Sequence, residues 1–302
     1  MPELPDIELY LHAMRTRLVG HRLERVRVAS PFLVRTVDPP LTSVVGATIV
    51  SLERVGKRIV WRLDARVIVV MHLMIAGRLR WLPPSAKLPG KLGLAAFDFA
   101  HGTLVLTEAG SRRRASLHVV SDDDALARLD PGGLEVPDSS FDAFAAALTR
   151  ENHTLKRALT DPHLFSGIGN AYSDEILHAA RLSPMQLTQR LDADAIARLH
   201  AAAMAVLTRW GDDLIAASGG RFPDKVTAFR EGMAAHGRFG KPCPVCGTAI
   251  QRIRYAENEA NYCPDCQTNG KLLADRALSR LLRDDWPRSL DELDAYKARR
   301  AR

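Results

Sequence analysis

The stretch IVSLERVGKRIVWRLDARVIVVMHLM, residues 49–74, contains three runs rich in β-branched and aromatic residues, separated near Gly56 and Asp64. Short runs of this composition between turn residues are typical of β-strands. Gly56-Lys57-Arg58 falls between the first two runs, so two cations are expected at a hairpin tip. The stretch therefore predicts neighbouring antiparallel strands.

Five further runs of the same kind surround this stretch. They are HRLERVRV (residues 21–28), GRLRWL (77–82), LAAFDFA (94–100), TLVLTEAG (103–110) and SLHVV (116–120). Eight short strands at this spacing are typical of an all-β sandwich or barrel. Ahead of them, apolar residues recur at helical spacing from Ile7 to Leu18, and Gly20 follows as a stop signal. We expect one N-terminal helix packed on antiparallel sheets over residues 2–120.

After Val120 the pattern changes, and the whole chain is expected to be an α+β multidomain protein. Residues 121–140 mix a helical run with turn residues and are expected to form a linker. Residues 141–240 show helical periodicity and predict a helical second domain. Residues 241–270 hold all four cysteines, and residues 271–302 predict a helical extension with a basic end.

The four cysteines form the pattern C-x2-C-x16-C-x2-C, and four unrelated buried thiols are a poor explanation for it. They are Cys243, Cys246, Cys263 and Cys266. In a cytosolic protein this spacing predicts a tetrahedral zinc site rather than disulfides. Because the cysteines supply all four ligands, the single zinc ion is expected to be structural and not catalytic.

Charge and composition favour a polyanionic partner in the cytoplasm. The net charge is +7 and the pI is about 9.5, which suits nucleic acid without requiring it. No apolar run has the length of a membrane span, and the N-terminus does not resemble a signal peptide. The loops GKR (56–58) and SRRRAS (111–116) are either solvated surface or contacts to backbone phosphates.

The stretch LFSGIGNAYSDEIL, residues 164–177, predicts a glycine-containing loop followed by a helix that Asn170 opens. The unpaired N–H groups at a helix N-terminus favour anions, so this turn suits a phosphate. An ordinary helix corner that uses glycine for its geometry explains the stretch equally well.

Five motifs occur in the order of one known family: PELPDIE, GKR, HLMIAG (72–77), GIGNAYSDE and YCPDCQT. From Pro2 to about Gln267 the chain resembles the formamidopyrimidine-DNA glycosylase / endonuclease VIII family. The resemblance implies a β-sandwich with an N-terminal helix, then a helix–two-turn–helix domain with a zinc finger. It also implies a bifunctional DNA glycosylase and AP lyase that acts on double-stranded DNA with oxidised bases or abasic sites and nicks the strand by β- or β,δ-elimination. We expect a monomer in the cytoplasm, associated with the nucleoid.

The resemblance also implies roles for individual residues. Pro2, freed by loss of Met1, is the expected nucleophile and Glu3 the expected general acid/base, with Lys57 beside the reacting nucleotide. Met74 or Ile75 is expected to fill the space of the flipped base, with Arg113 and Arg114 in a second loop. The other expected DNA-binding residues are Asp6 (a supporting carboxylate), Lys156, Asn170, Arg238, Arg252, Arg254 and Asn258.

Four departures from the family pattern bear on specificity. The wedge position carries Ile75 where the formamidopyrimidine branch usually has methionine, and the second loop, EAGSRRRASL, has no phenylalanine. In the finger hairpin, Asn258 lies nearest the position at which the family usually carries an arginine that contacts a phosphate. Residues 219–232 are shorter than the loop that encloses 8-oxoguanine, which favours oxidised pyrimidines or ring-opened purines.

Two other functions remain as alternatives. A catalytically silent DNA- or RNA-binding protein would share the basic loops, Asn170 and the finger, so only Pro2 and Glu3 distinguish it from the enzyme. A zinc-ribbon module that binds RNA or protein would explain the cysteines but not PELPDIE.

Overall fold

The protein is described by a computed structural model that covers residues 1–110, 112–255, 258–274 and 286–300. The chain forms two compact units. The first comprises Met1–Gly133 and Thr208–Ala228, and the second comprises Leu134–Leu207 and Phe229–Arg302. Residues 208–228, which the sequence assigns to the helical domain, thus cluster with the N-terminal unit.

The first unit contains two four-stranded antiparallel sheets. One sheet has the order β1-β6-β7-β5 and the other the order β2-β3-β4-β8. The strands are β1 Arg25–Val28, β2 Ile49–Val55, β3 Arg58–Leu63, β4 Ile68–His72, β5 Gly77–Leu82, β6 Gly93–Phe99, β7 Gly102–Glu108 and β8 Ser116–Val120. Each of the eight predicted runs overlaps one of these strands, so the predicted antiparallel fold is confirmed.

One hydrophobic core joins both sheets and the N-terminal helix α1, Leu4–Leu18. Trp61 of β3 and Phe97 of β6 are fully buried, and their rings meet edge to face with centroids 5.0 Å apart. Helix α1 buries Ile7 and Leu11 completely in this core. Burying such side chains contributes about 1.5–3 kcal/mol each, which fixes the start of α1 against the sheets.

The second unit is helical, as predicted, and carries a β-hairpin. A short helix, α2 (Asp123–Ala127), precedes it in the first unit. The later elements are α3 Phe141–Thr149, α4 Leu155–Thr160, α5 Asn170–Ala179, α6 Ala193–Ser218, β9 Gln251–Tyr255, β10 Asn258–Tyr262, α7 Pro264–Thr268 and α8 Leu290–Arg300. Helix α6 begins in the second unit and ends in the first.

The sequence predicts a helix near the end of the chain and no helix that crosses a membrane. The expected helix LLADRALSRLL, residues 272–282, lies outside the described residues from Asp275 onward. Among the described helices, none combines the length and the apolar composition that a membrane crossing needs.

Candidate active site and metal centre

The residues expected to react lie at the start of helix α1. Pro2 is buried and Glu3 is 3% exposed. The Asp6 carboxylate accepts a hydrogen bond of 2.9 Å from the backbone N–H of Glu3. Asp6 is itself 1% exposed, so we revise its expected role: it forms a capping box with Glu3, the N-cap residue of α1, and holds Glu3 in place rather than facing DNA.

Burial, modified by nearby charged groups, lowers the pKa of two amines around the chain terminus. Partial burial lowers the pKa of the Met1 α-amino group; Glu3 opposes this effect, and Arg78 and Lys57 add to it. Burial also lowers the pKa of Lys57, with Glu3 again opposing. Glu3 and Lys57 therefore share one electrostatic environment with the terminus, where an amine is more readily neutral and nucleophilic.

The hairpin that carries Lys57 is tied to helix α1. Gly56 has a φ of +59°, a left-handed conformation that residues with a side chain rarely adopt. Arg54 donates to the Gly56 carbonyl at 3.1 Å and to Oε1 of Glu8 on α1 at 2.8 Å. Arg54 thereby positions the Lys57 turn relative to the helix start.

Arg78 at the start of β5 is a candidate that the sequence reasoning missed. Its guanidinium donates to the carbonyls of Gly77 and Val226, both at 2.7 Å. The second contact fastens residues of the 208–228 segment to the strand that follows HLMIAG. A cation directly after that motif was the available sequence signal, but its partner lies 148 positions away.

The turn between β4 and β5 presents Ile75 to solvent. Ile75 is 51% exposed, whereas Met74 is half-buried and has a left-handed φ of +53°. A side chain at Gly77 would place its Cβ 2.2 Å from the carbonyl oxygen of Leu73, so only glycine closes this turn. Of the two expected wedge residues, Ile75 is the more available.

A buried carboxylate shapes the second loop. Glu108 is 1% exposed and accepts hydrogen bonds from the backbone N–H groups of Arg114, at 2.9 and 3.0 Å, and Ala115, at 3.1 Å. The side chains of Arg113 and Arg114 are exposed, and Arg113 donates to the carbonyl of Lys91. Both arginines are thus on the surface, as a DNA contact requires.

His72, the first residue of HLMIAG, is a second candidate that the sequence reasoning missed. Its Nε2 atom is buried and, within the described part of the chain, has no hydrogen-bond partner. Burial, together with the nearby cations Arg58 and Lys57, lowers the pKa of His72 to about 4. The ring is therefore neutral at pH 7.

This pKa predicts a pH-dependent stability. In the unfolded chain His72 binds a proton below its ordinary pKa of 6.5, whereas in the folded protein it stays neutral until about pH 4. The free energy of unfolding therefore falls as the pH falls from 6.5 to 4. Between pH 7 and pH 4.5 the loss due to His72 is expected to be roughly 2–3 kcal/mol. Urea unfolding of wild type and His72→Gln at both pH values measures it. An equal decline in both proteins would contradict the prediction.

Lys156 lies in the second unit and is 2% exposed. Its ammonium donates to Oδ1 of Asp174 and to the backbone carbonyl of Asn170, both at 2.6 Å. We therefore revise the expected direct DNA contact of Lys156. It holds the first residue of α5, whereas the half-buried Asn170 keeps its place at the helix N-terminus.

The finger residues expected to bind DNA differ in their surroundings. Arg252 stacks on the exposed ring of Phe239, 4.3 Å from its centroid, and its guanidinium lies 3.7 Å from Glu259. Arg238 is half-buried and donates to the Pro242 carbonyl at 2.8 Å, and Arg254 is exposed. The side chain of Asn258 lies outside the described residues, although its backbone pairs with Tyr255.

The four cysteines come together as a metal site requires. Their sulfur atoms all lie within 4.8 Å of one another, and neighbouring pairs are 3.4, 3.5 and 3.9 Å apart. Four thiolates bound tetrahedrally at the usual zinc–sulfur distance would be about 3.8 Å apart. Burial raises the pKa of Cys266 to about 11, with Cys246 contributing, so a metal ion would have to displace the proton. The donor set fits a structural metal ion.

Three family models match successive parts of the chain. The formamidopyrimidine-DNA glycosylase N-terminal domain matches residues 1–117, and the H2TH domain of the same enzymes matches residues 131–210. A zinc finger found in FPG and IleRS matches residues 240–269, which include the four cysteines.

Comparisons with individual proteins identify formamidopyrimidine-DNA glycosylases as similar over most of the chain. The formamidopyrimidine-DNA glycosylase of Symbiobacterium thermophilum is 31% identical over 284 residues, covering 88% of this chain and 89% of its own. That of Solibacter usitatus is 32% identical over 276 residues, covering 88% and 99%. The Lactococcus lactis enzyme, crystallised with DNA that contains an AP site, superposes with a TM-score of 0.77 at 25% identity, covering 88% and 99%.

The resemblance noted in five short motifs thus extends over most of the chain, in sequence and in structure. It includes the N-terminal helix with its sheets, the helical unit and the four-cysteine cluster. The chain belongs to the formamidopyrimidine-DNA glycosylase family.

Proposed function

We propose that this protein is a DNA glycosylase of base excision repair that also cleaves abasic sites as an AP lyase. The observation that carries the proposal is the start of helix α1. There a buried Pro2-Glu3 pair lies beside Lys57 and Arg78, where burial, with these two cations adding to it, lowers the pKa of the Met1 α-amino group. A binding protein needs no such arrangement.

The proposed reaction begins after Met1 is removed. The neutral Pro2 nitrogen attacks C1′ of the damaged nucleotide, the bond from C1′ to the base breaks, and the base leaves with the electron pair and a proton. Glu3 supplies a proton to the sugar ring oxygen, so the ring opens and leaves an iminium ion on C1′. The iminium accepts electrons as a C2′ proton is removed, and the 3′ phosphate departs.

Each unit contributes proposed DNA contacts. In the first unit, Lys57 is proposed to bind a phosphate beside the lesion, and Ile75 to fill the space of the extruded base with Arg113 and Arg114. In the second unit, the proposed contacts are Asn170 with the N–H groups of α5, and Arg252 and Arg254 of the finger. The net charge of +7 supports binding to a duplex.

We propose oxidised pyrimidines and ring-opened purines as preferred substrates over 8-oxoguanine. The segment after α6 is short and fastened: Gly220 accepts a hydrogen bond from Arg17 at 2.9 Å, and Val226 accepts one from Arg78. The ring of Phe222 lies 6.0 Å from that of Tyr10. To fold over an extruded base, this segment would have to break its hydrogen bonds to Arg17 and Arg78 and the ring contact of Phe222.

Zinc is the metal we propose for the cysteine site, since four thiolates in tetrahedral order suit it. When bound, it would stabilise the finger and take no part in the reaction. A monomer at the nucleoid in the cytoplasm remains our prediction for assembly and location.

A panel of duplexes tests the function. Each duplex carries one lesion: an oxidised pyrimidine, a ring-opened purine, 8-oxoguanine or an abasic site. We expect base release and strand cleavage with the first two, weaker release of 8-oxoguanine, and cleavage of the abasic site without added cofactor. Tight binding of all four duplexes with no release or cleavage would instead support the catalytically silent DNA-binding protein.

A further inference from the structure

Helix α5 has the proposed phosphate site at one end and the metal centre near the other. Asn170 is its first residue, and His178 lies eight residues later, about 12 Å along the helix axis. His178 is 5% exposed, and its Nε2 atom is 3.2 Å from Sγ of Cys243. A buried histidine thus contacts a metal-ligating sulfur from outside the four-cysteine cluster.

The chemistry of the contact determines its direction. A thiolate that binds a metal keeps lone pairs that accept hydrogen bonds, so His178 must donate its Nε2 hydrogen. The backbone N–H of Val245 is a second donor to the same sulfur, at 3.4 Å. Donors of this kind orient a ligand and spread its negative charge, and their loss typically weakens metal binding by about 10–100-fold.

The same helix holds the finger and the segment just before it by two neighbouring carboxylates. Glu175 accepts the backbone N–H groups of Ala234, Ala235 and His236, at 2.8, 2.8 and 2.9 Å. Asp174 accepts Asn261 Nδ2 of β10 at 3.1 Å and lies 2.8 Å from His236 Nδ1. Asp174 and His178 therefore attach one helix to the cysteine finger, and Glu175 attaches the same helix to the residues just before the finger.

We propose that His178 is a positioning residue for the metal centre: its hydrogen bond to Cys243 slows metal loss and holds the finger on the helix that begins at Asn170. The inference rests on the proposed zinc site. His178 is not a fifth ligand, because the four sulfur atoms already complete a tetrahedral set.

Metal release tests the proposal. Wild type, His178→Phe, His178→Gln and the surface control His163→Phe are loaded with zinc, their metal content is measured, and release to excess chromophoric chelator is followed at pH 7.5. Phenylalanine fills the space without a donor, whereas glutamine keeps an N–H. We expect release about 10–100-fold faster in His178→Phe and close to wild type in the other two.

The outcomes distinguish a failure of the proposed role of His178 from a failure of the proposed zinc site. If wild type and His178→Phe release zinc at the same rate, or if His178→Gln releases it as fast as His178→Phe, the role of the hydrogen bond is overturned while the zinc site stands. A wild type without bound metal would overturn both proposals. Nitrogen-15 NMR of the zinc-loaded wild type needs no variant: the hydrogen is expected on Nε2, and a ring protonated at Nδ1 alone would exclude the donor.

Discussion

A Pro2→Leu variant that keeps Met1 is expected to lose covalent trapping on abasic DNA almost completely. The large second residue prevents removal of Met1, so the amine moves by one residue, up to about 3.8 Å from its place in the processed enzyme. A displacement of only about 1 Å can lower a rate by 10²-fold, so we expect a loss greater than that. The assay is borohydride reduction of protein mixed with a duplex that contains one abasic site, followed by electrophoresis.

Pro2→Gly is the matched variant, because it keeps a free terminal amine in the same place. We expect it to form the trapped complex more slowly than wild type but clearly faster than Pro2→Leu. All three proteins should bind the unreacted duplex alike. Undiminished trapping by Pro2→Leu would mean that another amine reacts, and the half-buried Lys57, whose pKa is lowered by burial, would be the first to examine.

Glu3→Gln is expected to have the second large effect, a fall of about 10²–10⁴-fold in the rate of base release. Glutamine keeps the size of the buried side chain, and the Asp6 bond to the Glu3 backbone is unaffected, so the geometry should persist while the transferable proton is lost. Single-turnover release of an oxidised pyrimidine measures the effect.

Two comparisons make this result specific. Glu24→Gln, on an exposed residue of the same unit, should release the base at the wild-type rate. Glu3→Gln should also be trapped on a preformed abasic site with a smaller loss, because no base has to leave there. A Glu3→Gln enzyme with the full rate of base release would remove Glu3 from the mechanism.

Local sequence patterns were sufficient for the elements of the fold and for the metal ligands. The β-branched and aromatic runs in residues 49–74 and the helical spacing from Ile7 to Leu18 predicted strands and a helix correctly, because each signal depends on neighbours within a few positions. The cysteine spacing brought four sulfur atoms together as expected. The start of α5 at Asn170 was also confirmed, because glycine and asparagine mark that corner locally.

The roles of several polar residues depended on distant partners instead. Lys156 looks like a surface cation, but its burial follows from Asp174, 18 positions later. Arg78 meets Val226 across 148 positions, and His178 meets Cys243 across 65. None of these pairs has a spacing that marks it in one sequence.

The sequence by itself thus determined the kinds of element, the cysteine cluster and the family, because these follow from short-range periodicity and motifs. Only the tertiary structure decided which charged side chains are buried and which face solvent. The physical reason is that a buried charge is tolerated only where a partner or hydrogen bonds compensate for lost hydration. Those partners, such as Asp174 for Lys156, are brought within reach only when the chain folds.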